Sequence, residues 1–489
     1  MSNLTDFAYT PIQKRAFEHF LWICSIPHGS GNCTHLGDRI EEMAKTWGLK
    51  THRDRVGNVL IQKPATQGKE DSPVVLLQGH LDMVCVCDEN VAINFESDPI
   101  SLNIEGDLLL AQNTSLGADN GMGVAMALAV LEADTLVHGP IEALFTIDEE
   151  TTMVGADECE VPFEATVIIN LDSEEDHAIC VGSSGGQEHE LHLPITFSED
   201  VPEISPMKII VKDLRSGHSG IQIGENRGNA IKVMARIISH AMNKVEGEFN
   251  IASFTAGRAR NVIPSSAEVV VMVENVEDWK TALAESFAEF YEEYKIIETK
   301  PPLLLCEAAE IPEKVMSKEL SELIIDTLMV CPHGVIRMNP GIVGAVQTSV
   351  NCALANIKED KFVVELFSRS SAESEMDLFH LEMKSLAKLT GAELLGPACR
   401  FVGWNPDLDS RVLQIAQECH QILFNEYAKV YSVHAGLEAS ILMAKRPDKA
   451  MSAISIGPYI AYPHTSKEEC SINSVNKTMD FLVKILESL

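Results

Sequence analysis

Apolar runs of strand length alternate with helical patterns in the first part of this chain, and that alternation restricts the fold more than any other feature. NVLIQKP, VVLLQG, IEALFTI and TVIINL read as strands, while IQKRAFEHFLWICSI and HLGDRIEEMAKTWG carry helical periodicity. GMGVAMALAVLEADTL reads as a mostly apolar, buried helix. Near-continuous apolar strands between helices predict an α/β domain with a mostly parallel sheet and helices on both faces.

The pattern changes after the cluster Ser183 to Gly186, which reads as a hinge. Beyond it the order is a strand (MKIIVKD), a helix over 229–244, strands FNIASF and AEVVVMV, and a helix over 279–295. That order suggests a split βαβ layer. A comparable run follows, with helices SKELSELIIDTLM and EMDLFHLEMKSLAKLTG around strands VNCALANIK and KFVVELFSRS. The middle of the chain is therefore expected to be an inserted α+β lid, with two such layers possible. A helix over 409–423, the strand MSAISIG and the helix VNKTMDFLVKILESL return to the first style. The expected division is a catalytic domain over 1–186 and 400–489, with a lid and dimerisation domain over 187–399.

The strands of the outer domain end in polar residues. LLQGHLDM delivers His80 and Asp82, and LFTIDEETTM delivers Asp148, Glu149 and Glu150. VIINLDSEE delivers Asp172, SIGPYIAYPHTS delivers His464, and Asp119 precedes the apolar helix. In open α/β sheets the C-terminal strand ends line the ligand crevice. Each residue alone is equally a polar strand end, a loop charge or, for Asp119, a helix cap. Together they form a cluster of carboxylates that is prohibitive to bury without cations.

The chain has 489 residues and a formal net charge of −34, with 22% charged and 45% hydrophobic residues. This is a globular composition, and the length suggests about two to four domains. The acidic excess argues against nucleic acid and against an anionic membrane surface as partners. No apolar run reaches the roughly 20 residues of a membrane span, and no secretory leader is expected. Twelve cysteines without a repeating frame, such as Cys24 in LWICSI, read as reduced thiols of a cytoplasmic protein. Cys85 and Cys87 lack the second thiol pair of a structural zinc site.

The ordered set GHLDMV, LGADNGMG, TIDEE, NLDSEE, SGHSG, HAGLE and PHTSKEE resembles the dinuclear zinc peptidases related to carboxypeptidase G, over nearly the whole chain. The long middle region and HAGLE are most similar to the bacterial Xaa-His dipeptidases within that family. The resemblance implies two zinc ions per chain, with manganese or cobalt as possible substitutes. His80, Asp119 and Asp172 would hold one, Asp119, Glu150 and His464 the other, with Asp119 as the bridge. It implies Glu149 as general base and Asp82 as the residue that holds His80 by its second ring nitrogen. It implies His218 in SGHSG as oxyanion stabiliser, and Asn261 and Arg369 as contacts to the substrate carboxylate, where an arginine fork pairs well. Glu438 in HAGLE would receive the substrate amine. Ser216 stands where relatives commonly carry a glycine, which bears on the shape of that turn. The activity implied is hydrolysis of dipeptides, Xaa-His and β-alanyl-histidine included, by a homodimer. An N-acyl-amino-acid amidohydrolase on the same site, or a zinc-binding protein without catalysis, are the alternatives.

Overall fold

A computed structural model describes residues 4–489. The chain forms two compact units. One comprises the described residues through Gly182, with Pro406–Ser432 and Leu437–Leu489; the other comprises Ser183–Asn405 and Val433–Gly436.

The first unit is built on an eight-stranded sheet. Its order is Lys50–Arg53, Val59–Lys63, Ile141–Thr146, Val75–His80, Val167–Asn170, Ser452–Ser455, Ala178–Ser183 and Lys429–Val433. The centre is parallel: Val75–His80 pairs in parallel with both neighbours, and Ser452–Ser455 with Val167–Asn170. Antiparallel pairs flank this centre at Lys50–Arg53, Val59–Lys63 and Ala178–Ser183. Every residue of the Val75–His80, Ile141–Thr146 and Val167–Asn170 strands is buried, as their unbroken apolar character requires. The helix Ala118–Glu132 is apolar on nearly all sides and buried from Asn120 to Leu131. No helix among the described residues is long and apolar enough to cross a membrane.

The second unit is a nine-stranded antiparallel sheet. Its path runs Leu303–Ala308, Ser205–Lys212, Ala267–Val273, Phe249–Ala256, Val346–Lys358, Lys361–Ser370, Gly185–Pro194, Glu393–Phe401, and Gly334–Met338 pairs beside Val346–Lys358. The two expected split βαβ layers are halves of this one sheet. In each half the chain order is strand, helix, two strands, helix, strand, and the spatial order is the same. The first half is inserted between the first strand and first helix of the second. Thr255↔Asn356 and Ala256↔Ala355 join them edge to edge. Helices Ala230–Lys244, Val276–Tyr294, Lys318–Val330 and Glu373–Thr390 bury their apolar faces in one common core.

Two sequence expectations differ from this arrangement. The Ser/Gly cluster is not an open loop. Gly185 and Gly186 begin a ten-residue strand, paired to Ser370 and Arg369 on one side and, through Gly186, to Phe401 on the other. A side chain at either glycine would strike Phe401, so these glycines serve close approach of strands. The expected boundaries 186/187 and 399/400 lie at 182/183 and 405/406, because Ser183 pairs with Trp404 and the strand Glu393–Phe401 belongs to the second sheet. Val433–Gly436 returns to the second unit, where Ala435 accepts the amide of Ser184.

Candidate metal centre

His80 ends its strand and is 1% exposed. Any side chain at Gly79 would collide with Asn120, so glycine lets the strand end approach the turn that presents Asp119. Asp119 lies in the first turn of its helix, Glu149 and Glu150 in the loop after Ile141–Thr146, and Asp172 just after Val167–Asn170. His464 follows the short strand Ile460–Ala461 in a left-handed backbone conformation.

These residues converge. His80 Nε2 lies 3.1 Å from Asp119 Oδ1 and 3.3 Å from Asp172 Oδ1. His464 Nε2 lies 3.2 Å from Asp119 Oδ2 and 2.9 Å from Glu150 Oε2. The two oxygens of Asp119 thus face two different imidazoles. Donor atoms of His80, Asp119 and Glu150 all lie within 4.8 Å of one another.

The electrostatics are those of a cation site. Burial, with the charges of Asp119 and Glu150 nearby, pushes Asp172 up to about 7, although His80 beside it acts the other way. Burial also raises Glu150, and raises Glu149 well above the ordinary carboxylate range. Glu174 goes to about 8 for the same reason. Hydrogen bonds to Asp119 and Glu150 lift His464 to about 11. Burial opposes charge on His80, yet Asp172, Asp119 and Asp82 hold it well above its usual value. Imidazole nitrogens and carboxylate oxygens suit zinc, and positive charge among them would offset the cost of burying these carboxylates. The residues present fit a metal centre.

Asp82 lies against the second ring nitrogen of His80. His80 Nδ1 is 3.0 Å from the main-chain carbonyl of Asp82 and 3.5 Å from its carboxylate. The carboxylate also accepts from the amides of Glu149 (3.0 Å) and Glu150 (3.3 Å) and from Ser30 Oγ (2.8 Å).

Glu438, the expected acceptor of the substrate amine, is 1% exposed. Its Oε2 accepts from Thr146 Oγ1 at 2.6 Å and Gln78 Nε2 at 2.5 Å, and its Oε1 has no hydrogen-bond partner. Asn170 Nδ2 donates to Gln78 Oε1 at 2.6 Å, and Ser455 Oγ donates to Asn170. Gln78, Thr146 and Asn170 each lie two residues before a strand-end acid or imidazole: His80, Asp148 and Asp172. Period-two alternation places them one layer below. A polar layer therefore crosses four strands beneath the candidate ligands, and burial pushes Glu438 within it up to about 7.

In the second unit His218 Nδ1 accepts the amides of Gly220 and Ile221 at 3.2 and 3.1 Å. Its Nε2 lies 3.5 Å from Arg369 Nη2, and burial with Arg369 nearby lowers it to about 4. Arg369 is 6% exposed, its Nε is buried without a hydrogen-bond partner, and burial lowers it to about 10. Asn261 is exposed, and its main-chain carbonyl accepts the amide of Ser219 beside His218. Ser216 is accommodated in the turn by donating to the Ile263 carbonyl at 2.8 Å. His434 Nε2 lies 2.7 Å from Ser349 Oγ.

The sequence reading missed Gln78, Thr146, Asn170 and Glu468. The first three had a signal, their spacing of two from a strand-end acid or imidazole. Glu468 lay within the quoted PHTSKEE with nothing local to mark it.

The sequence model of peptidase family M20/M25/M40 matches residues 76–488. The chain is 34% identical over 492 residues to the cytosol non-specific dipeptidase of Escherichia coli (strain K12), covering 100% of this chain and 99% of that one. The solved structure of aminoacylhistidine dipeptidase from Vibrio alginolyticus superposes with a TM-score of 0.89 at 33% identity, over 98% of each chain. A tripeptidase from Staphylococcus aureus, 17% identical with a TM-score of 0.55 over 97% of this chain and 98% of that one, shares the fold.

Proposed function

The chain belongs to peptidase family M20/M25/M40, and from that premise we propose that it is a cytoplasmic dinuclear zinc dipeptidase. Its substrates in this reading are Xaa-His and other dipeptides, β-alanyl-histidine included. The observation that carries the proposal is the double use of Asp119, whose two oxygens face His80 and His464 from opposite donor sets. His80, Asp119 and Asp172 would hold one ion and Asp119, Glu150 and His464 the other; manganese or cobalt could take the same donors. Bound there, such ions would activate a water and polarise the scissile carbonyl. Glu149 takes the proton of that water and passes it to the leaving amine, a task suited to a carboxyl raised by burial. Asp82 holds the amides of Glu149 and Glu150 and so fixes base and ligand together. In the same proposal His218 donates to the oxyanion, and Arg369 with Asn261 takes the substrate carboxylate. The protein acts as a homodimer, which sedimentation velocity would test.

One observation favours a second reading. Glu438 is 1% exposed with its Oε2 held by Thr146 and Gln78, and an N-acyl amino acid needs no acceptor for a free amine. The test is a panel of carnosine, other dipeptides and N-acyl amino acids, with zinc added and removed. Zinc-dependent dipeptide cleavage is expected. Cleavage of N-acyl substrates alone would establish the second reading, and no cleavage of either would sink both.

A further inference from the structure

Glu468 is 3% exposed and spends its whole carboxylate on backbone. Oε2 accepts the amides of Leu116 at 2.8 Å and Gly117 at 3.0 Å. Oε1 accepts those of Ala118 at 2.8 Å and Asp119 at 3.3 Å. An ionised carboxylate has about four lone-pair sites, and here four N–H groups fill them. Gly117 lies at φ 70, and a Cβ there would approach Met83 Sδ to 2.8 Å, so the turn is set by close packing as well as by the acid.

His464 stands four residues before Glu468 in the same hairpin loop, between Ile460–Ala461 and Glu469–Ser471, which pair with each other. The loop is tied within itself: Glu468 N donates to the Thr465 carbonyl at 3.2 Å, and Thr465 Oγ1 donates to the Tyr462 carbonyl at 2.7 Å. One end of this loop places His464 Nε2 at 3.2 Å from Asp119 Oδ2, and the other end grips the main chain of Asp119. Two attachments on one short loop fix a distance that one attachment leaves free.

We propose that Glu468 is a positioning residue that locks the turn of the bridging aspartate to the loop of the terminal imidazole, so that both sets of donors around Asp119 are formed together. The inference rests on the assignment of Asp119 as bridge.

The test uses Glu468→Gln and Glu468→Asp in the full chain. An amide keeps one acceptor oxygen but turns an NH2 group toward two N–H donors; aspartate keeps the charge and is one methylene shorter. In metal-free Glu468→Gln, peptide-resolved hydrogen exchange is expected to rise at least about tenfold over residues 116–119, with the circular dichroism unchanged. The visible spectrum of the cobalt-loaded variant should shift. Turnover should fall about 10–100-fold with KM within about threefold, the usual cost of a lost supporting partner. Glu468→Asp should fall between the variant and the native protein. Native-like exchange and spectrum in folded Glu468→Gln would overturn the proposal. So would loss of cooperative folding in both variants, which would make the role one of plain stability. If the native protein cleaved no dipeptide, the proposed function would fail, while the exchange measurement would still decide this point.

Discussion

Asp82 Oδ1 accepts the backbone N–H of Glu149 at 3.0 Å, while the ring of His80 lies 3.0 Å from the main-chain carbonyl of Asp82 and 3.5 Å from its carboxylate. The acid therefore anchors the loop of the proposed base. Asp82→Asn should turn an NH2 group toward a donor and loosen that loop. Turnover should fall about 10–100-fold with metal content largely kept. Turnover within twofold of native would remove this role.

Glu149 and Glu150 are neighbours with separable tasks. Glu149→Gln should keep both ions and lose at least about 10²–10⁴-fold in rate, the usual share of general acid–base catalysis. Glu150→Gln should release one ion and regain part of its activity in excess zinc. Metal analysis and turnover on both variants decide the assignment, and the reverse pattern would show it to be inverted.

Asp119→Ala removes the residue whose two oxygens face the two imidazoles. Both ions should bind poorly, and the stabilisation by added zinc expected in melts of the native protein should largely vanish. Two tightly held ions per chain in this variant would contradict the bridge.

Glu438, at about 7 instead of 4.5, binds its proton more tightly in the folded than in the unfolded chain. Its contribution is complete below about pH 4.5 and is lost as pH rises toward about 7, roughly 3 kcal/mol over that window. Metal-free Glu438→Gln should therefore lose less stability between pH 5 and 8 than the native protein, and should cleave dipeptides within about threefold of native. A large rise in KM for free-amine substrates would instead return Glu438 to the substrate amine.

Arg369 is buried, with its Nε unpartnered. If it receives the substrate carboxylate, Arg369→Ala should lower kcat/KM about 10–100-fold with metal content intact, as for a lost charge-assisted hydrogen bond. A C-terminally amidated dipeptide should be a comparably poor substrate for the native enzyme. Equal cleavage of amide and free acid would refute this.

The sequence by itself determined the apolar strands, the buried helix and the acids and imidazoles at the strand ends. Each is written in local periodicity: VVLLQGH is buried because it is continuously apolar, and its last residue is polar because the strand stops there. Tertiary structure decided the partners. Glu468 reaches Leu116 from 352 residues away, and Glu438 reaches Gln78 from 360. No local pattern records such pairs, because a carboxylate in a helix start or a loop looks the same whether solvent or a buried strand receives it. The glycines at 185 and 186 carry the same lesson: sequence gave them freedom, and the approach of Phe401 made them a strand.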